Sequence, residues 1–181
     1  TCDADGRMRC SYNLVGTETG RLNCGESPTG NGTNLQTITK KLRVLYQADP
    51  GKLMFQCDLS GADGWTVAAH CKALGDSTMW NDYLFGLKPA RIIAAMQVAQ
   101  AKGHSITRLP REELAAYIKQ CEIPSWLYEA CKAVQHGSNY GMKKNTMSSN
   151  ILKQSWKKSG APLYVSPSDC EALQNLYLNH R

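Results

Sequence analysis

After Gly64 the hydrophobic pattern changes its period, and that change limits what the chain can become. Up to that point the apolar residues come in short runs between turn formers. Beyond it they recur every three or four residues, the spacing that puts side chains on one face of a helix. Trp65 to Leu74 reads as a short helix stopped by Gly75. Pro89 opens a second, with Ile92, Ile93, Met96 and Ala99 on one face and Gly103 past its end. Pro110 opens a third, with Glu112 and Glu113 in the first turn and Leu114, Tyr117, Ile118 and Cys121 as its apolar stripe. Ser125 caps a fourth whose buried face is Leu127, Cys131 and Val134. A fifth runs from Asn145 to Ser159 and stops at Gly160 and Pro162. Ser168 with Glu171 opens the sixth as a capping box.

The first third has a different grammar. Arg7 to Leu14 mixes alternating polar and apolar residues, and Gly25 to Gly32 is a loop. Leu42 to Tyr46 reads as a strand, and Asp49-Pro50-Gly51 as a turn. The apolar run Leu53 to Cys57, ending at Asp58, is too short for three helical turns and predicts a buried strand. The expected fold class is therefore α+β, a β-rich first third followed by about six helices.

With 181 residues the chain can form one ordinary domain or parts of two, and 42% apolar against 20% charged residues excludes a disordered or collagen-like chain. No apolar run reaches the roughly eighteen residues of a membrane span, so no membrane partner is expected. The polar, acidic start is not a secretory signal, and the missing initiator methionine suggests a fragment or a processed product. The net charge of +6 favours polyanionic partners, and five lysines without an acid fall between Lys143 and Lys158. These lysines form either a solvated face or a DNA groove. The eight cysteines include no Cys-x-x-Cys pair, which argues against zinc. Cys57, Cys71, Cys121 and Cys131 lie in apolar runs and read as reduced thiols of a cytoplasmic protein. An even count in a secreted protein is the alternative.

Chemistry concentrates in Lys132-x-x-x-His136-x-x-x-Tyr140-Gly141. Four-residue spacing lines a cation and two aromatic rings along one side of a helix, away from its apolar face. Such a stripe suits a triphosphate and a base together. An acid at a strand end, here Asp58, is a usual holder of the magnesium a triphosphate carries.

Three segments together resemble the family A DNA polymerases, the group of bacterial DNA polymerase I and many phage replicases. Thr17-Glu18-Thr19-Gly20-Arg21-Leu22, followed by Asn34-Leu35-Gln36-Thr37-Ile38, is similar to the family's Thr-Gly-Arg-Leu and Asn-Leu-Gln-Asn-Ile pair. Asp58-Leu59-Ser60-Gly61-Ala62-Asp63 is similar to the Asp-Tyr-Ser-Gln-Ile-Glu segment closing the first palm strand. Lys132 to Gly141 looks like the Lys-x-x-x-Phe-x-x-x-Tyr-Gly core of the fingers O helix. The resemblance implies a partial palm with antiparallel strands over residues 1–75. A mainly helical fingers subdomain would follow over 76–181, with the O-helix-like segment at 125–141.

The resemblance also implies roles. Asp58 and the backbone carbonyl of Leu59 would bind Mg2+, and Lys132 would meet the incoming dNTP as a catalytic cation. Ser60, Asp63, His136 and Tyr140 would complete the dNTP site, with Asp63 barring a ribose 2′-hydroxyl. Arg21 would enter the minor groove of primer-template DNA, and Asn34 and Gln36 would contact the template. The implied activity is nucleotidyl transfer from dNTP to a primer 3′-hydroxyl, in the cytoplasm of a phage host.

Departures from the family pattern carry their own expectations. His136 stands where the family has Phe or Tyr, and a hydrogen-bonding ring there is expected to tune sugar discrimination. Tyr128 stands one turn before Lys132, where the family has a phosphate-binding arginine, so either the grip is weaker or a cation such as Arg91 or Lys88 substitutes. Asp63 is one methylene shorter than the family's glutamate. The second metal-binding aspartate of the family has no counterpart before Arg181, so the chain is expected to need the remainder of a polymerase and to be inactive alone. A single-subunit RNA polymerase shares the palm and the Lys-to-Tyr helix and remains an alternative. So does a non-catalytic nucleic-acid-binding module, with a zinc-organised module third.

Overall fold

The computed structural model describes residues 2–18 and 20–180, apart from the side chains of Lys40, Lys158 and Ser159. The chain divides into two compact units, Thr1–Asp58 and Leu59–Arg181. The described residues form seven α-helices and one two-stranded antiparallel sheet, a mixed and mostly helical α+β class.

In the first unit, β1 (Ser11–Asn13) pairs antiparallel with β2 (Asn23–Gly25), Tyr12 opposite Cys24. Two 3-10 turns follow at Leu35–Thr37 and Lys40–Leu45. Polar contacts, not an apolar core, organise this unit. Arg9 bridges Asp3 and Asp5, Arg7 reaches Asp49 at 2.7 Å, and Asn31 donates to Asp3 at 3.1 Å. The Arg9 guanidinium is the main cause that holds the Asp5 carboxyl down at about 2.

The two expected later strands are absent from the described residues. Leu42 to Tyr46 lies largely in a 3-10 turn, where Leu42 N–H donates to Thr39 O and Tyr46 N–H to Arg43 O. Leu53 to Cys57 is irregular and exposed, with Phe55 at 81%. A strand exists only with a ladder partner, and in this unit the sole sheet is the β1–β2 pair. Short apolar runs therefore fell to local turns.

The second unit follows the helical pattern more closely. Its helices are α1 (Ala62–Ala73), α2 (Thr78–Leu84), α3 (Pro89–Ala101), α4 (Arg111–Gln120), α5 (Ser125–Asn139), α6 (Lys144–Ser159) and α7 (Pro167–Asn179). α2 was not legible as a helix: two turns carry too little periodicity to stand out. α7 starts earlier than expected, because Ser166, not Ser168, is its cap, accepting from Asp169 N–H at 3.1 Å. Likewise Pro124, not Ser125, is the capping residue of α5.

α3 is the central element, apolar around most of its circumference. Ala90, Ile93 and Ala94 pack with Leu127, Ala130, Cys131 and Val134 of α5 and with residues of α6 and α7. Ile92, Ala95, Met96 and Ala99 pack with Leu114 and Ile118 of α4, beside Leu87 and Ile106. The alanines let backbones approach, while each buried isoleucine contributes about 1.5–3 kcal/mol. Cys131 is fully buried and behaves as a small hydrophobe, whereas Cys57 is exposed and Cys71 and Cys121 are half-buried; none of the eight cysteines is in a disulfide.

Among the described residues, one charged side chain is buried. Asp82 on α2, 2% exposed, accepts from Arg111 Nε at 2.9 Å and lies 3.0 Å from His180 Nε2. Arg111 also donates to Thr78 O at 3.4 Å. This cluster joins α2, α4 and the end of α7. Arg111 can turn to water if its partner is removed, but Asp82 cannot. Arg111→Ala is therefore expected to cost about 3 kcal/mol in urea unfolding, more than Asp82→Ala.

Burial pushes the Cys131 thiol from an ordinary 9.0 up to about 12. Between those values the unfolded chain releases this proton and the folded chain keeps it, so stability falls as pH rises through the window. Unfolding free energy measured under reducing conditions at about pH 8 and about pH 10.5 should drop less in Cys131→Ala than in the parent.

Candidate functional site

α5 has two faces, and its rotation decides which one meets solvent. Leu127, Ala130, Cys131 and Val134 turn into the core, as the spacing predicted. A polar junction fixes that rotation. The Gln135 side chain accepts from the Ala90 N–H at 3.1 Å. Burial pushes the Tyr83 phenol above its ordinary pKa, and the Gln135 side chain pulls it partly back. The Tyr83 ring in turn stacks on Trp65 of α1, centroids 4.9 Å apart.

The outward face of α5 borders a cleft of about 980 Å3. Trp126, Glu129, Lys132, Ala133, His136 and Gly137 line one wall. Met147, Asn150, Ile151, Gln154 and Ser155 of α6 line the other, with Met142 and Ala161 to Leu163 closing the ends. Asp63, from the first turn of α1, also lines it. Most of the wall is apolar, with an ammonium, an imidazole and two carboxylates added. A flat, partly apolar molecule bearing an anionic group matches that mixture.

Gly137 permits the close approach of the walls. A Cβ there would meet Met147 Cε at 3.1 Å and Met142 Sδ at 3.3 Å. Helix α5 ends at Asn139, so Tyr140 is its capping residue and not a further member of the helical stripe. Its ring still lies against His136, centroids 5.0 Å apart and planes tilted by 59°.

The structure thus gathers Asp63, Lys132 and His136 on one cleft, with Tyr140 in contact with His136. Ser60 is exposed and accepts from Lys88 Nζ at 3.0 Å. Leu59 is exposed at the start of the second unit. Asp58 ends the first unit in exposed, irregular chain, so the expected strand tip is not there. Arg21 lies in a turn where its N–H donates to Thr17 Oγ1 at 2.9 Å; Thr19 of that segment falls outside the described residues. Asn34 caps the turn at Leu35–Thr37 by accepting from Gln36 N–H at 2.9 Å, and the Gln36 side chain is exposed.

Two features of the site were not read from the sequence. Trp126 and Glu129 follow α5 spacing and could have been found by extending the stripe. The α6 wall could not, since only tertiary packing brings it there. The Arg91 guanidinium sits over the Tyr128 ring, 5.6 Å from its centroid, one helical turn from Lys132.

Among the described residues, no group of three or more His, Cys, Asp or Glu is placed to hold a metal ion. Asp58 and the adjacent Leu59 carbonyl offer hard oxygen donors. That set suits Mg2+, which takes one or two carboxylates and completes its shell with substrate phosphates and water.

Gly64, next to Asp63 in α1, packs closely against Tyr83. A Cβ there would fall 1.9 Å from the Tyr83 hydroxyl. Gly64→Ala should therefore cost about 1–3 kcal/mol, and adding Tyr83→Phe should recover part of that loss. A double-mutant cycle by chemical denaturation checks this, and strict additivity would show that the hydroxyl is not what glycine makes room for.

No protein-family model, curated protein or solved structure matches this chain.

Proposed function

We propose that this chain is a palm and fingers portion of a family A, phage-type DNA polymerase, working in template-directed DNA synthesis with the remainder of that polymerase. One observation carries the proposal: Asp63 of α1 borders the same cleft as Lys132 and His136 of α5.

In this reading the dNTP lies along the outward face of α5. Lys132 meets the triphosphate as a point charge, and Arg91, whose guanidinium lies over the Tyr128 ring, adds a planar donor. Lys88, already bonded to Ser60, lends a third cation near the start of α3. The contacting rings of His136 and Tyr140 pack on sugar and base. Asp63 disfavours a ribose 2′-hydroxyl by crowding it. Asp58 and the Leu59 carbonyl would hold Mg2+, which neutralises triphosphate charge when bound. Arg21, Asn34 and Gln36 face primer-template DNA, and the setting is the host cytoplasm.

Equilibrium dNTP binding to the 181-residue chain tests the proposal. Loss of a charge-assisted contact is worth roughly 1.5–3 kcal/mol, so Lys132→Ala should weaken binding by about ten- to a hundredfold. Arg91→Ala should weaken it by a smaller factor. Affinity unchanged in both variants would remove the nucleotide assignment.

A further inference from the structure

The inner side of α6 lines the cleft, but its outer side carries an unrelated combination. Trp156 is 62% exposed, with exposed Lys153 three residues before it and exposed Lys157 directly after. These three project from neighbouring positions of the same outward half of the helix. Neither lysine makes an ion pair among the described residues, unlike Lys144, which is held by Glu171 at 2.7 Å.

A second exposed aromatic ring lies on the segment that follows α6. The segment after α6 folds back on it through two hydrogen bonds. Leu163 N–H donates to Ser155 Oγ at 2.8 Å, and Ser148 Oγ donates to Val165 O at 2.6 Å. Tyr164 sits between those anchors and is 67% exposed. Large rings on a tethered segment, beside unpaired cations, keep their faces in water when nothing covers them.

We infer that this outer face of α6 binds single-stranded nucleic acid, with Trp156 and Tyr164 as stacking platforms and Lys153 and Lys157 as phosphate contacts. The charge is complementary: Lys153 and Lys157 are exposed beside Trp156, and no acid lies between Lys143 and Lys158. Exposed ring faces match bases that are free to stack, which a strand offers and an intact duplex does not. A lipid surface matches less well. The apolar residues Met147 and Ile151 of α6 are buried in the core, so the helix has no free apolar face to insert. The inference stands on α6 and its return segment and does not depend on the nucleotide assignment of α5.

Fluorescence anisotropy of the full chain with a labelled single-stranded oligothymidylate, and with a duplex of equal length, tests it. Trp156→Ala should weaken strand binding about tenfold, with Trp156→Phe retaining most of it and circular dichroism confirming an intact fold. The Lys153→Ala/Lys157→Ala double variant should reduce the salt slope by about 1.4. Lys132→Ala should leave strand binding as it is, so failure of the dNTP proposal and failure of this one are separable. Unchanged strand affinity in folded Trp156→Ala, equal loss for strand and duplex, or binding to anionic vesicles alone would overturn the inference.

Discussion

A single side-chain amide sets the architecture of the second unit. Gln135 receives the Ala90 N–H, one of the first-turn donors of α3 that has no partner within its own helix. The same side chain meets the Tyr83 hydroxyl of α2. Three helices thereby meet at one point, and turning α5 about its axis would break the Gln135–Ala90 bond. Because that rotation is fixed, Cys131 and Val134 stay inside and Lys132 and His136 stay outside. Gly64 belongs to the same constraint, since any side chain there would displace Tyr83. The location of the cleft thus follows from one half-buried polar junction more than from the residues that border it.

What could be read in the sequence depended on how local its cause was. α3, α4, α5 and α6 were visible from spacing and from the Pro and Gly residues that bound them, and the buried face of α5 fell where its periodicity put it. The first unit was harder. Leu42 to Tyr46 and Leu53 to Cys57 have the composition of strands, but composition cannot supply a hydrogen-bonding neighbour. α2 escaped for another reason: its placement comes from Trp65, Trp80 and Tyr83 packing as a cluster, not from any repeat.

The same division runs through the candidate site. Lys132 and His136 share a face because a helix dictates it, so the stripe was legible before any fold was known. That Asp63 would border the same cleft was not a matter of spacing; the polymerase resemblance suggested it. The α6 wall had no sequence signal at all. Arg91 and Tyr128 lie 37 positions apart, and the guanidinium–ring contact between them needed the α3–α5 crossing to exist. Asn34 gives the opposite lesson. Its side-chain oxygen is already engaged by the turn it caps, the ordinary employment of an asparagine in that position.

The link between Asp82 and His180 spans 98 positions, and its reach bears on how the unit assembles. Closing a loop of that size carries an entropic cost that neighbouring helices avoid. The pairing of α1 with α2 can form early, whereas α7 must arrive late. Tyr177 of α7 also holds Asn139 at 2.6 Å, at the very end of α5. The last piece to dock is therefore the one that steadies the turn from which Tyr140 projects. A chain caught before that step would possess its cationic helix but not a settled aromatic terminus, so maturation of the binding surface lags behind formation of the core.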